Sequence, residues 1–210
     1  KDIEEPNKTI GNMIKVDIQD LQGCPRYSAM IVQDITIKPS PLFIKSRLEA
    51  MGIRPINNVV DVTNYLLLEH GQPLHAFDYE KISGKHIIVR KSIRGEVIKT
   101  IDDRTHTFGD EDLVITDEVG PVAIAGVMGG SRAEVSDLTK TVLLESAHFD
   151  PMRVRRTSRR LGLASESSFR FERGVDPNGV TAVLRKAAIM IAELGDGKVV
   201  KGVMDVYPKP

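Results

Sequence analysis

The order of apolar and polar positions predicts most elements of this chain. RYSAMIVQDITI (26–37) is rich in β-branched residues and partly alternates, which predicts a strand. In PSPLFIKSRLEAMG (39–52) the period changes, and Ile44, Leu48 and Met51 fall on one helical face. Ser40 is the expected cap of that helix, Pro41 its first residue and Gly52 its stop. NNVVDVTNYLLLEHG (57–71) reads both ways. Its valines suit a strand, but Val59, Val62 and Leu66 share a helical face, with Asn58 as cap and Gly71 as stop, so a helix is expected.

The centre of the chain is mostly β. KHIIVR (85–90), EVIKTIDDRTHTF (96–108) and LVITDEVGPVAIAGVMGG (113–130) are strand runs broken by turn residues, and TVLLESAHF (141–149) is another strand. Asp150 and Pro151 open a short helix, PMRVRRTSRRLG, which Gly162 ends. NGVTAVLRKAAIMIAELG (178–195) is a long helix with an apolar face, and KVVKGVMDVYP (198–208) closes as a strand. Helices flanking a β-rich centre predict an α+β fold rather than alternating βαβ units.

Composition narrows the classes. A chain of 210 residues suits one large domain or two interleaved small ones. Formal net charge is zero, so no global field draws it to nucleic acid or membrane, and such a partner must meet a local patch. The single cysteine, Cys24, excludes an internal disulfide and a thiolate metal cage, and fits a reducing cytoplasm. No apolar run approaches the roughly 18 residues of a spanning helix, and no signal peptide is visible. The polar start KDIEEPNKTIGN and the ending YPKP read as cut points in a longer protein. Residues 1–22 are expected to be a linker or edge segment, and 23–210 the domain proper.

No Walker loop, G-x-G-x-x-G, H-E-x-x-H or G-x-S-x-G is present. The candidates for chemistry are scattered single residues. Glu145 lies in an otherwise apolar strand, where a carboxylate needs a partner: solvent, an arginine such as Arg153 or Arg156, or a ligand. His75, in GQPLHAFD, either bonds a backbone carbonyl or belongs to a site assembled from distant segments. Thr63 and Asn64 in DVTNY can hold a water or a carbonyl, or simply face outward on a helix. Gly129 and Gly130 permit close approach of a ligand to backbone, or serve a hairpin. RVRRTSRR (153–160) places five arginines in eight residues, equally suited to RNA phosphates and to structural ion pairs.

The segments VDVTNYLLLEHGQPLHAFD, AIAGVMGG, LLESAHFDP and SESSFRFERGVDP occur in this order and at this spacing. Together they closely resemble the B3/B4 domain of the bacterial phenylalanyl-tRNA synthetase β subunit, from about Cys24 to beyond Leu194. The resemblance implies a B3/B4-type fold with β-sandwich-like sheets. It also implies an editing activity: hydrolysis of tyrosine wrongly esterified to the phenylalanine tRNA. Carried over, Glu145 matches the glutamate that recognises the tyrosine phenol, expected here as an ionised acceptor. His75, Thr63 and Asn64 match residues that position the attacking water and the ester. Pro73 shapes the adjoining wall, and Gly129 lines the amino-acid pocket, with backbone N–H groups near Gly129–Gly130 or the substrate's ribose hydroxyl assisting. Ser165 stands where the family carries Thr or Ser. Ser167 departs from the family's usual Ala, adding a hydroxyl and slight bulk to the wall.

The implied partners are the tyrosine-bearing acceptor end of tRNA(Phe), the rest of the β subunit, and the α subunit of a heterotetramer, with no membrane. No metal or cofactor is implied in this domain; ATP and magnesium act elsewhere in the whole enzyme. Three rival readings stand beside editing: a binding-only module, a scaffold within the β subunit, and a free-standing deacylase.

Overall fold

A computed structural model describes residues 9–209, so the first residues of the polar start and the final Pro210 lie outside the described part. In chain order the elements are β1 (Lys15–Ile18), β2 (Arg26–Gln33), α1 (Leu42–Ala50), α2 (Val60–His70), β3 (Leu74–Asp78), β4 (His86–Lys91), β5 (Val97–Lys99) and β6 (Thr105–Thr107). They continue with β7 (Leu113–Thr116), β8 (Pro121–Ile124), β9 (Met128–Gly129), β10 (Val142–His148), α3 (Pro151–Leu161), α4 (Glu166–Phe171), α5 (Val180–Gly195), β11 (Lys198–Val199) and β12 (Met204–Val206). The class is α+β.

Two sheets and a helical layer make the domain. The first sheet runs β11-β2-β10-β3, with β12 also pairing β2; the second runs β1-β4-β7-β8-β9, and β5-β6 is a separate hairpin. Alternation along the strands sorts the side chains of the first sheet to two faces. Met30, Val32, Leu74, Ala76, Val142 and Leu144 pack against α1, α2 and α5. Tyr27, Ala29, Ile31, Phe77, Leu143 and Ala147 pack toward the second sheet, with Ile87, Val89, Ile115 and Ile124 in the same core. The first sheet is therefore covered on both sides. Within the segment expected as linker or edge, Lys15–Ile18 forms an edge strand that pairs in parallel with β4, and Ile10, Ile14 and Val16 are buried.

Helix ends follow local chemistry, with instructive exceptions. Asp150 accepts from the Arg153 N–H at 2.8 Å, Pro151 starts α3, and Gly162 ends it at φ 65°, as the sequence predicts. Ser40 does not cap α1. Its hydroxyl donates to the buried Asp61 carboxylate at 2.6 Å, and α1 starts after Pro41 without a side-chain cap. Asp61 takes its second bond from the Ile56 N–H at 2.7 Å, and the demand of a fully buried carboxylate outweighs a helix cap. Asn57 rather than Asn58 opens α2, accepting from the Val59 and Val60 N–H groups at 3.0 and 2.9 Å.

Other runs are shorter than their patterns suggest. The 26–37 strand stops at Gln33, where Asp34 turns to φ 58°. The 96–108 run folds back on itself through a turn in which the Thr100 N–H donates to Arg104 O. The 113–130 run splits into three strands, and 198–208 into two.

Asn58 instead ties three segments together. Its side chain accepts from the Lys38 N–H at 3.1 Å and donates to Thr36 O at 3.0 Å and Leu194 O at 3.2 Å, fully buried. Asn58→Ala strands those three backbone groups. The expected cost is about 2–4 kcal/mol, read as a lower urea midpoint with an unchanged slope. A midpoint equal to wild type would mean that the three segments are held by packing alone.

Candidate functional site

A cavity of about 410 Å³ opens beside β3, the last strand of the first sheet. Its walls come from the 53–57 loop, α2, β3, β10, the β7–β9 meander and α4. All eight residues singled out in the sequence reach it: Thr63, Asn64, Pro73, His75, Gly129, Glu145, Ser165 and Ser167.

The central pair is set by strand register. Glu145 on β10 stands directly opposite His75 on β3 in the antiparallel ladder. Opposed residues share a face, so the two side chains project together into the space between the sheets. Glu145 follows the alternation of its neighbours Leu143 and Ala147, both in that inter-sheet core. The arginine partners considered from sequence are elsewhere: Arg153 pairs with Asp20, and Arg156 is exposed. What Glu145 has instead is the phenol of Tyr27, which donates to its Oε2 at 3.1 Å. Burial pushes the Glu145 carboxyl up to about 8, the Tyr27 bond pulling the other way. At neutral pH this side chain is mostly a carboxylic acid. Burial thus works against the ionised acceptor expected from sequence, and among the described residues no lysine or arginine lines the cavity to compensate the lost hydration.

His75, half-buried by surface exposure, is affected in the opposite charge sense: desolvation lowers its imidazole to about 4. The ring meets Phe77 edge-on, with centroids 4.5 Å apart. Gly129 makes room for it: a Cβ there would lie 2.5 Å from His75 Cε1 and 2.8 Å from Nε2. Gly130 is committed differently. Its N–H donates to Val122 O at 2.8 Å, so it is unavailable as an oxyanion donor. The need for glycine at 130 is equally local, since a Cβ would meet Val122 O at 2.8 Å.

On α2, Thr63 is buried and its hydroxyl donates to Val60 O at 2.7 Å, which leaves only lone pairs to offer the cavity. Asn64, half-buried one residue on, has no side-chain hydrogen bond among the described residues and keeps both amide functions free. Pro73 is buried at the start of β3. Ser165 is spent on structure. It caps α4 by accepting from the Ser168 N–H at 3.0 Å, and its hydroxyl donates to Val127 O at 2.7 Å. Ser168 completes a capping box by accepting from the Ser165 N–H. This fastens α4 to the β8–β9 turn and fixes one wall. Ser167 is half-buried on that wall, its hydroxyl unbonded among the described residues.

The sequence reading missed Tyr27, which belongs to no motif and lies 118 positions from Glu145. It also missed the apolar lining of Ile115, Ala123, Ile124, Val127 and Phe171. Among the described residues no cluster of three His, Cys, Asp or Glu side chains is arranged to hold a metal ion. No helix among them is long and apolar enough to cross a membrane.

Comparison with known proteins matches this architecture. Residues 23–196 match the family described as the B3/4 domain. A phenylalanine–tRNA ligase beta subunit from Geobacter sulfurreducens is 48% identical over 208 residues, covering 99% of this chain and 26% of that protein. The beta subunit from Halalkalibacterium halodurans is 52% identical over 192 residues, or 91% of this chain and 24% of the other. The chain thus spans about a quarter of the length of these relatives. An N-terminal fragment of the phenylalanyl-tRNA synthetase beta subunit from Pyrococcus horikoshii superposes with a TM-score of 0.57 at 12% identity, covering 92% of this chain and 54% of that one. At that identity the superposition speaks for the fold alone. With the family match spanning most of its length, the chain belongs to the B3/4 domain family.

Proposed function

We propose that this domain removes tyrosine wrongly attached to the phenylalanine tRNA by hydrolysing the aminoacyl ester. The observation that carries the reading is the opposition of His75 and Glu145 across one ladder, inside a cavity of the size and apolar lining that suit an aromatic side chain. The relatives at about half identity are beta subunits of phenylalanine–tRNA ligase, which supports placing the domain within such a subunit. An alpha subunit and the tRNA acceptor end are then its partners, with ATP and magnesium handled outside it.

The need for a second site is physical. A pocket for phenylalanine rejects an isostere bearing one extra hydroxyl only weakly, whereas a site with a polar group awaiting that hydroxyl discriminates strongly. Glu145 is that group. A phenylalanine ring leaves its second oxygen, the one not bonded by Tyr27, without a partner, which protects the correct product.

Hydrolysis needs no covalent nucleophile, because an aminoacyl ester is already activated and a water held in line suffices. His75 is neutral throughout the physiological range and holds such a water through its unprotonated nitrogen. An imidazole whose conjugate acid titrates at about 4 is a weak base, so His75 acts by placing the water. The Thr63 lone pairs and the Asn64 amide orient the ester, and the Asn64 N–H donors face the developing oxyanion in place of Gly130.

Two measurements test this. In single-turnover deacylation by the full-length protein, tyrosyl-tRNA(Phe) should be lost quickly and phenylalanyl-tRNA(Phe) spared. Glu145→Ala should cut that preference by roughly ten- to a hundredfold. No hydrolysis above background by the wild-type protein would leave a binding or scaffold domain. Second, an NMR titration of the His75 imidazole should show a midpoint near 4. The deacylation rate should then carry no histidine limb between about pH 5 and 8. A midpoint near the ordinary value of about 6.5 would restore His75 as a candidate general base.

A further inference from the structure

Glu145 and Tyr27 form a unit that the reading above does not use. Tyr27 lies on β2 opposite Ala147, and Glu145 lies opposite Ala29, so the two side chains meet diagonally across adjacent strands. Tyr27 is fully buried within the inter-sheet core, and its one side-chain polar atom ends on Glu145 Oε2. Oε1 has no protein partner among the described residues, and Glu145 keeps 6% exposure, on a side chain that lines the cavity. The two carboxyl oxygens are therefore unlike: one is occupied by a phenol, the other is open to a ligand.

We propose that Tyr27 is a positioning residue that sets the hydrogen-bonding role of Glu145: its phenol makes Oε2 the acceptor and leaves the carboxyl proton on Oε1, offered to the cavity as a donor for the hydroxyl oxygen of an aromatic ring. The inference rests on the ester-hydrolysis reading and adds the direction of the recognition bond, from protein to ligand.

The chemistry of the surroundings supports it. A carboxylic acid accepts best at its carbonyl oxygen, so a phenol donating to Oε2 favours the proton on the other oxygen. The titratable groups packed around Glu145 are Tyr27 from β2, Cys24 just before it and His75 from β3. Burial raises the first two groups and lowers His75, so all three are uncharged at neutral pH. Glu134 and Glu166 also line the cavity, and no lysine or arginine does among the described residues. Among the described residues the Tyr27 bond alone favours a carboxylate there. A ring without a hydroxyl leaves the Oε1 proton unmatched, which is the penalty that spares the correct ester.

The test is the pH dependence of the hydroxyl preference, measured with the full-length protein in its native assembly. The ratio of kcat/KM for the tyrosyl and phenylalanyl esters of the same tRNA cancels the spontaneous lability of the ester bond. The preference should hold below neutrality and fall as pH rises through about 8, where Oε1 loses its proton. In Tyr27→Phe the preference at pH 7 should drop roughly tenfold, and the remaining fall should move to higher pH, because a bond that favoured the carboxylate is gone. Glu145→Gln, whose amide donates but does not titrate, should abolish the pH dependence. A preference that rises through pH 8, or a Tyr27→Phe profile that overlays wild type, overturns the assignment while ester hydrolysis stands.

If the wild-type protein hydrolyses neither ester, the hydrolase reading itself has failed, and a second readout judges the Tyr27 link alone. The protonated carboxyl infrared band, identified by its loss in Glu145→Gln, should titrate at higher pH in Tyr27→Phe than in wild type. An unmoved midpoint overturns the link.

Discussion

Strand β10 lies between β2 and β3 with helices packed on one side and a second sheet on the other, so a polar side chain on it is largely cut off from solvent. That constraint governs the site. Elsewhere the fold supplies buried carboxylates generously: Asp61 receives a hydroxyl and a backbone N–H, and Asp117 receives both ends of the Arg132 guanidinium with three backbone N–H groups. Glu145 receives one phenol. A buried acid left half-satisfied costs stability unless it sheds its charge, and it is then poised to bond something brought from outside.

The legible parts of the fold are those whose rules are local. The Asp150–Pro151–Gly162 frame of α3 and the Gly71 stop of α2 are local hydrogen-bonding and backbone preferences, and the structure contains them. The failures share a cause. Ser40 carries a cap signature but serves an acid 21 positions away, and β3 shows no alternation because both of its faces are buried. Helix α4 is only six residues long, too short for a helical period to appear in the pattern. For the site, the literal segments located eight wall residues, but nothing in them says that His75 opposes Glu145; that is a fact of register. Tyr27 sits in an ordinary-looking strand, and only pairing makes it a neighbour of the acid.

The arginine run of α3 resolves into two populations. Arg153 pairs with Asp20 and Arg160 with Asp112, the latter also bonded by Thr157 and the Gly109 N–H. These contacts fasten the helix to the loop before β2 and to the start of β7. Arg155, Arg156 and Arg159 are exposed and have no ion pair among the described residues. Part of the run is therefore structural, and the other three arginines lie exposed on the same helix.

The close approach of Gly129 to His75 has a consequence for how such a domain can change over time. The imidazole occupies the volume that a methyl group on residue 129 would need, so the two positions are not independent. A side chain at 129 requires either that the His75 ring swing aside or that position 75 become smaller. A lineage that loses the histidine first can then accumulate bulk at the glycine and close the cavity behind it. In the reverse order a side chain at 129 first pushes the His75 ring out of its place, so a change at either position disturbs the histidine.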